Sequence, residues 1–489
     1  VQDGPNKMAK YTLTARRLGL TAVITPIMTL SNLILLPILT KKLPIADYGA
    51  WALITVTIGL VPWLTTLGLG VSMTRFLAAT TDKREIREGF YSMGFIIVLT
   101  SSIVSGLLFL FVQQIAASLF NNNLTIAQLL ILTIWITSPT IFAIQYFMAF
   151  QQIKRYSFVN VFNAYLNTAL VAFFVLLGYG LEGAMIALLI QQLVVFAVVL
   201  YLIVAQIGFA IPKFRRVREY LAFGLPLVPS TVAGWISNSS DRYLIAYFLG
   251  EAAVGYYSPG YMLGSILGMI AAPLGSLLPP VLYKHYDDNE IEDIRTIMSY
   301  SLKYYSGIVL PCVFAVSVLS KPLLLVLTTQ EIAVNGYLVT PLVAAGAALV
   351  GATSLILLIL MLEKKSALYG TIMILSAVVN FGLNLLLIPY LGLIGAALTS
   401  LLAFLLAFVL TAYYSLKLFT FDFNYGFIVK SVCSCCFMTV FLVLWNPSGL
   451  LSIILSSALA AVIYLTILLV LRGLTIQEIK LIYRIYKGS

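Results

Sequence analysis

Apolar residues run along this chain in long blocks separated by short polar segments. A hydrocarbon core of about 30 Å takes about 20 helical residues to cross. Fourteen stretches reach that length: 17–38, 48–70, 91–112, 126–149, 157–178, 183–206, 223–248, 254–280, 299–320, 334–361, 367–388, 391–415, 427–446 and 450–471. They are solid apolar runs, unlike the ten-residue alternation of a membrane barrel. The pattern predicts an all-α polytopic membrane protein with 14 transmembrane helices. The connections after spans 5, 11 and 13 are so short that those neighbours must return antiparallel.

Composition turns the pattern into an exclusion. The 489 residues are 61% hydrophobic and only 10% charged, against about 25% charged in an ordinary globular domain. A soluble fold of this size could not hide so much apolar side chain. A soluble enzyme, a nucleic-acid-binding module and a disordered chain are therefore excluded. The net charge of +11 reads through topology, because basic residues stay on the cytoplasmic side. The N-terminus, the loops after even-numbered spans and the C-terminus together hold 25 of the 29 Lys and Arg. Lys41, Lys42 and Lys321 lie on the other side, and Arg242 lies within a span. Both termini are expected in the cytoplasm of a multi-pass cell-membrane protein. The clusters Lys83–Arg84–Arg87 and Lys213–Arg215–Arg216–Arg218 suit topology and contact with anionic lipid. Residues 1–17 are polar and basic, with no look of a cleaved signal peptide. Ile476, Ile479, Ile482, Tyr483 and Tyr486 make one apolar face of a helix lying on the inner surface.

The second half echoes the first. Leu18-Gly19-Leu20 answers Phe223-Gly224-Leu225, and Ser31-Asn32 answers Ser237-Asn238. Asp47-Tyr48-Gly49 answers Val254-Gly255-Tyr256, and Gly180-Leu181-Glu182-Gly183-Ala184 answers Gly392-Leu393-Ile394-Gly395-Ala396. The offsets drift only from 205 to 212 residues. An offset of six spans keeps both copies in the same sense across the membrane, which predicts parallel repeats. The expected organisation is a six-helix bundle over 1–206, a basic cytoplasmic linker over 207–222 and a second bundle over 223–415. Spans 13 and 14 (416–471) and an amphipathic tail (472–489) complete it. Two such bundles can rock about a central cavity in alternating access.

Polar atoms in hydrocarbon are costly and mark the residues that could line such a cavity. Asn32 and Asn238 sit at equivalent depths. Asn163 and Asn167, with Asn160, share a face of span 5, and Asn380 and Asn384 share one of span 11. Hydrogen bonds between helices are the competing explanation for all of them. Asp241 and Arg242 are the sharpest feature. Neighbouring helical residues point about 100° apart, so the two are not expected to pair simply with each other. Arg242, in the outer half of span 7, either snorkels to the outer interface or turns inward, where a guanidinium can bind phosphate bidentately. Arg75 reaches the inner mouth of the cavity if helix 2 continues through Gly68-Leu69-Gly70. Lys303 holds a similar place at the start of span 9, and the two could draw in an anionic headgroup. Prolines at 26, 62, 139, 226, 229, 273, 311 and 341 kink spans locally.

Other chemistry is missing from the sequence. It carries no nucleotide-binding loop, no catalytic elbow and no loop long enough for a catalytic domain. Cys312, Cys433, Cys435 and Cys436, with His285 far off, build no metal cage. No enzyme activity, cofactor, metal or nucleic-acid partner is expected.

The chain resembles the polysaccharide-biosynthesis flippases of the O-antigen (Wzx) type. These belong to the multidrug/oligosaccharidyl-lipid/polysaccharide exporter superfamily, with the multidrug and toxin extruders. The likeness rests on Leu43-Pro44-Ile45-Ala46-Asp47-Tyr48-Gly49, Leu67-Gly68-Leu69-Gly70 and Arg75-Phe76. It continues in Phe223-Gly224-Leu225-Pro226-Leu227, Trp235-Ile236, Asp241-Arg242-Tyr243, Gly250 to Ser258 and Asn380 to Ala397. The resemblance implies a V-shaped arrangement of the two repeats plus two extra helices. It also implies a substrate class, polyprenyl-(di)phosphate-linked oligosaccharide moved from the inner to the outer leaflet. Asp241-Arg242 matches the family's Asp-Arg pair in span 7. Membrane lipids are implied partners, a glycan polymerase or glycosyltransferases are candidates beside them, and a monomer is compatible with the sequence, which does not fix the oligomeric state. Three other readings share the pattern. A lipid II-type flippase usually carries more arginines within its first two spans and in span 8, and this chain has none inside spans 1 and 8. A drug/cation exporter commonly relies on embedded acids, and Asp241 is almost alone. A scaffold for glycan assembly would transport nothing.

Overall fold

The computed structural model describes residues 5–120 and 122–473 and is helical throughout. The first helices are α1 (Pro5–Lys42), α2 (Ile45–Thr65), α3 (Leu69–Ser72), α4 (Lys83–Leu110), α5 (Val112–Leu119) and α6 (Leu124–Ala149). Then come α7 (Ile153–Leu176), α8 (Gly180–Ile207), α9 (Val217–Gly224), α10 (Val228–Leu249), α11 (Glu251–Ser265) and α12 (Ala272–Asp287). The last are α13 (Ile291–Leu327), α14 (Gln330–Gly336), α15 (Val339–Leu362), α16 (Ser366–Leu416), α17 (Tyr425–Trp445) and α18 (Leu450–Val470). Among the described residues, 12 helices are long and apolar enough to cross a membrane, or 13 with one bent pair. Fourteen expected spans become fewer continuous helices for identifiable reasons. The amphipathic tail falls among residues 474–489, outside the described residues.

Span 7 is broken. The helix over Phe214–Leu227 meets Thr231–Leu249 at 42°. Leu225–Leu227 is a 3-10 turn holding Pro226, and Pro229 follows in the first turn of α10. Each proline removes a backbone donor, which loosens the α-helical ladder. Span 8 is interrupted likewise by a 3-10 stretch, Ile266–Ala271, just before Pro273. In α16 the break falls at Gly392 (φ 57°, ψ −136°), a conformation that glycine adopts readily. Ser376 donates to the Ala403 carbonyl at 2.6 Å, and Asn380 to Ser400 Oγ at 3.5 Å. Partners whose numbers converge on 390 show that the second arm of α16 returns antiparallel to the first.

Two compact units emerge. One comprises the chain up to Ser258 with Phe381–Gly392, and the other Pro259–Asn380 with the chain from Leu393 on. In the first unit α6 is central, packing on α2, α4 and α8, while α1 packs along α7. Asn123 caps α6 by accepting from the Ile126 amide and donates to Glu182. Residues between α8 and α9 form no free linker. Tyr91 donates to the Gly208 carbonyl, and Ser92 Oγ accepts from the Lys213 amide at 3.0 Å. Lys213 pairs with Glu88 at 2.8 Å and Arg216 with Glu85 and Glu219.

In the second unit α13 packs against α15, α17 and α18. Tyr464 of α18 donates to the Gly307 carbonyl of α13 at 2.9 Å and meets Ser431 of α17 at 2.8 Å. These bonds tie α17 and α18 to α13 and saturate polar groups that hydrocarbon would leave unmet. At the turn into α13, His285 Nδ1 lies 2.5 Å from Glu290 and 3.8 Å from Asp293, an exposed grouping.

Candidate functional site

Small residues set the frame around α10. A side-chain carbon added at Gly49 of α2 would stand 1.9 Å from the Glu251 carbonyl oxygen. One added at Gly255 of α11 would stand 2.6 Å from that of Ile45. The two glycines thus let the starts of α2 and α11 touch backbone to backbone, the usual role of small residues between membrane helices. Further along, Trp235 donates to the Val56 carbonyl at 3.2 Å, and Tyr243 bonds Thr57. These contacts fasten α10 along α2.

The charged pair sits in this frame. Asp241 is 2% exposed and Arg242 9%. Contrary to the helical-wheel expectation, the two pair: Arg242 Nη1 lies 3.3 Å from Asp241 Oδ1. Their side chains leave the backbone about 100° apart, but the long arginine folds back along the helix. Its Nη1 donates to the Asn238 carbonyl at 3.0 Å, one turn earlier, while its backbone amide donates to Asp241 Oδ1 at 2.9 Å. The guanidinium therefore points away from the near end of α10 at Leu249, the reverse of snorkelling. Tyr257 of α11 donates to Asp241 Oδ2 at 2.5 Å, and its ring centroid lies 6.0 Å from the guanidinium carbon. A charge pair buried in an apolar helix survives only if its remaining valences are met, and here the backbone and Tyr257 help to meet them.

The other expected residues divide into three groups. Asn32 and Asn238 are both exposed, one turn or less from buried Ser31 and Ser237. Asn238 Nδ2 donates to the Gly234 carbonyl at 2.7 Å, and Asn32 makes no hydrogen bond among the described residues. The amides of spans 5 and 11 lie between helices instead. Asn163 bonds buried Gln191 of α8, and Asn167 Oδ1 is buried without a partner among the described residues. Asn380 (1% exposed) bonds Ser400, and Asn384 is 0% exposed. The cations behave differently again. Helix 2 does not continue to Arg75: α2 ends at Thr65, and Leu67 (φ 50°) and Gly68 (φ 70°) turn the chain. A side chain on Gly68 would stand 2.3 Å from the Gly224 carbonyl oxygen. Arg75 then lies exposed in a π-helical turn, Met73–Leu77, a geometry common at functional sites. Lys303 is 7% exposed in the second unit, its Nζ 5.3 Å from the Phe427 ring centroid and 5.9 Å from that of Tyr300.

Residues 16–285, more than half of the chain, match the model of the polysaccharide biosynthesis protein family. The chain belongs to that family. The matched region contains Asp241, Arg242, Tyr257, Arg75, Asn32 and Asn238. A probable low-salt glycan biosynthesis flippase of Haloferax volcanii, Agl15, is 24% identical over 216 residues, 44% of this chain. That alignment spans 45% of the relative's length. The fold is that of the wider exporter superfamily. The lipid II flippase MurJ, solved in an inward closed conformation, is similar with TM-score 0.73 and 14% identity over 91% of this chain and 97% of that one. An inward-facing multidrug resistance MATE transporter gives 0.64 with 18% identity over 80% and 94%. A superfamily transporter from Pyrococcus furiosus gives 0.59 with 16% identity over 83% and 94%.

Sequence reasoning assigned no role to Tyr257, Trp235 or Gln191. Tyr257 follows Asp241 by sixteen positions across a helix break, and no helical periodicity links them.

Proposed function

We propose that this family member is a flippase, moving a polyprenyl-(di)phosphate-linked oligosaccharide from the inner to the outer leaflet by alternating access. The observation that carries the reading is the buried Asp241–Arg242 pair within the family-matched region. A charge kept in hydrocarbon marks a substrate path more often than a packing accident. Arg242 supplies the phosphate contact and Asp241 holds its guanidinium in place until a phosphate competes for it. Asn32 and Asn238, open at matching positions of the two repeats, meet sugar hydroxyls, as do Asn163, Asn167, Asn380 and Asn384 when the helices part. Arg75 and Lys303 meet the headgroup on the cytoplasmic side. The two arms of α16, counted separately, and the bent span 7 support a 14-span chain of two six-helix repeats plus α17 and α18, with both termini cytoplasmic.

The test is reconstitution of the purified chain in vesicles, scoring a lipid-linked oligosaccharide with a membrane-impermeant enzyme. Transfer that depends on the wild-type chain and falls in Arg242→Ala and Arg242→Lys supports the reading. No transfer, with a normal leaflet distribution of lipid-linked glycan in deletion cells, overturns it. Raised sensitivity of those cells to cationic drugs would move the assignment to an exporter.

A further inference from the structure

Helix α13 is 37 residues long, about 55 Å at 1.5 Å per residue. It is thus longer than a hydrocarbon core, and its first turns, bearing Glu292, Asp293 and Arg295, belong to the headgroup region. Arg295, Ser299 and Lys303 follow at four-residue spacing on one stripe of those turns. Facing them is the segment that precedes α17, where Ser299 donates to the Asp422 carbonyl at 2.7 Å. Between stripe and segment lies a cavity of about 640 Å³, lined by Arg295, Ser299, Tyr300, Lys303, Asp422 and Asn424 among others.

Its lining carries two cations, Arg295 and Lys303, and one carboxylate, Asp422. Asp422, the carboxylate in the lining, accepts the Asn424 amide at 2.8 Å in its own turn. Arg295 pairs through Nη1 with Glu292, whose side chain is 82% exposed and well screened. Arg295 Nε is buried and finds no acceptor among the described residues. A buried donor left unmet is costly, but the side chain as a whole is 37% exposed, so a ligand oxygen in the cavity meets its terminal nitrogens rather than Nε. Tyr300 and Phe421 line the cavity, and Phe421 continues in a row of rings to Phe423 at 5.1 Å and Tyr425 a further 5.9 Å on. Aromatic side chains in such a row suit the interface between acyl chains and headgroups. A basic pocket between membrane helices at that depth fits an anionic lipid headgroup.

We infer that this cavity is a binding site for the phosphodiester of an anionic glycerophospholipid of the surrounding leaflet, held by Arg295, Lys303 and Asn424. It goes beyond the flippase reading, because lipid retention here needs no transport.

The purified full chain, stripped of lipid in detergent, is unfolded thermally with phosphatidylglycerol, phosphatidylcholine or inorganic phosphate. Native mass spectrometry counts retained lipid in parallel. Phosphatidylglycerol should raise the unfolding temperature and remain bound, and phosphatidylcholine should do neither. Arg295→Gln should lose most of that shift, Lys303→Gln should do the same, and Lys213→Gln in the other unit should keep it. Lys303 is buried, so Arg295→Gln, at the partly exposed end of the site, keeps the test decisive if the lysine variant fails to fold. An unchanged phosphatidylglycerol shift in Arg295→Gln overturns the site. Equal stabilisation by phosphatidylcholine overturns the requirement for charge. The same shift with inorganic phosphate alone overturns the assignment to a lipid.

Discussion

The Asp241–Arg242 pair of α10 and the ion pairs that bind residues 213–216 to α4 both join opposite charges in the same unit, yet different physics governs them. Arg242 Nη1 and Asp241 lie 3.3 Å apart with almost no exposure. Lys213 and Glu88 lie closer, at 2.8 Å, but the lysine side chain is 40% exposed. Distance alone would rank the exposed pair higher. Solvent reverses the ranking, because water and salt screen a surface pair while a buried charge has only its partners. The buried pair can therefore be given up only where another charged partner replaces it. The surface pairs act together with the Ser92 and Tyr91 bonds to hold a connecting segment.

The largest effect should come from orphaning the guanidinium. Asp241→Ala should destabilise the chain by about 3–5 kcal/mol, read as thermal unfolding in detergent. Asp241→Asn with Arg242→Gln should recover much of that stability and still fail to transport. Recovery of transport as well would make the pair purely structural. Gly49→Ala should cost about 1–3 kcal/mol by overpacking, since the Glu251 carbonyl occupies the space. Gly59→Ala on the same helix meets nothing within 4 Å and should leave the unfolding temperature unchanged or raise it. Tyr257→Phe removes the hydroxyl that donates to Asp241 and should cost about 1–3 kcal/mol. Asn163→Ala should cost about 0.6–2 kcal/mol, the usual worth of a bond between membrane helices. Lys213→Ala should be the mildest. Its small loss should shrink further as salt is added, whereas the Asp241→Ala loss should not.

Much was legible before any coordinates. The long apolar runs placed nearly every helix. Asp241 and Arg242 stood out as the charges hydrocarbon would not tolerate unaided. The misreadings had physical causes. A helical wheel treats a side chain as a direction and ignores reach, so it missed an arginine folding back past Asn238 onto its neighbour. A hydropathy window averages over Leu67-Gly68, Leu225-Pro226-Leu227 and Gly392, where a single backbone angle or a missing donor interrupts the helix. The asparagines of α7 and α16 read as one polar face, but Gln191 and Ser400, which receive two of them, lie on a partner segment whose register the pattern does not carry.

What the sequence determined by itself was the solvent this chain folds in, and with it the helices, their lengths and the cost of each polar residue inside them. Backbone hydrogen bonding in hydrocarbon admits little else. What only the tertiary structure decided was how that cost is met. Tyr257 completes the Asp241 site, Gly49 and Gly255 let two backbones touch, and Lys303 lies against aromatic rings. Those outcomes depend on which distant segments meet, and local pattern does not encode such meetings.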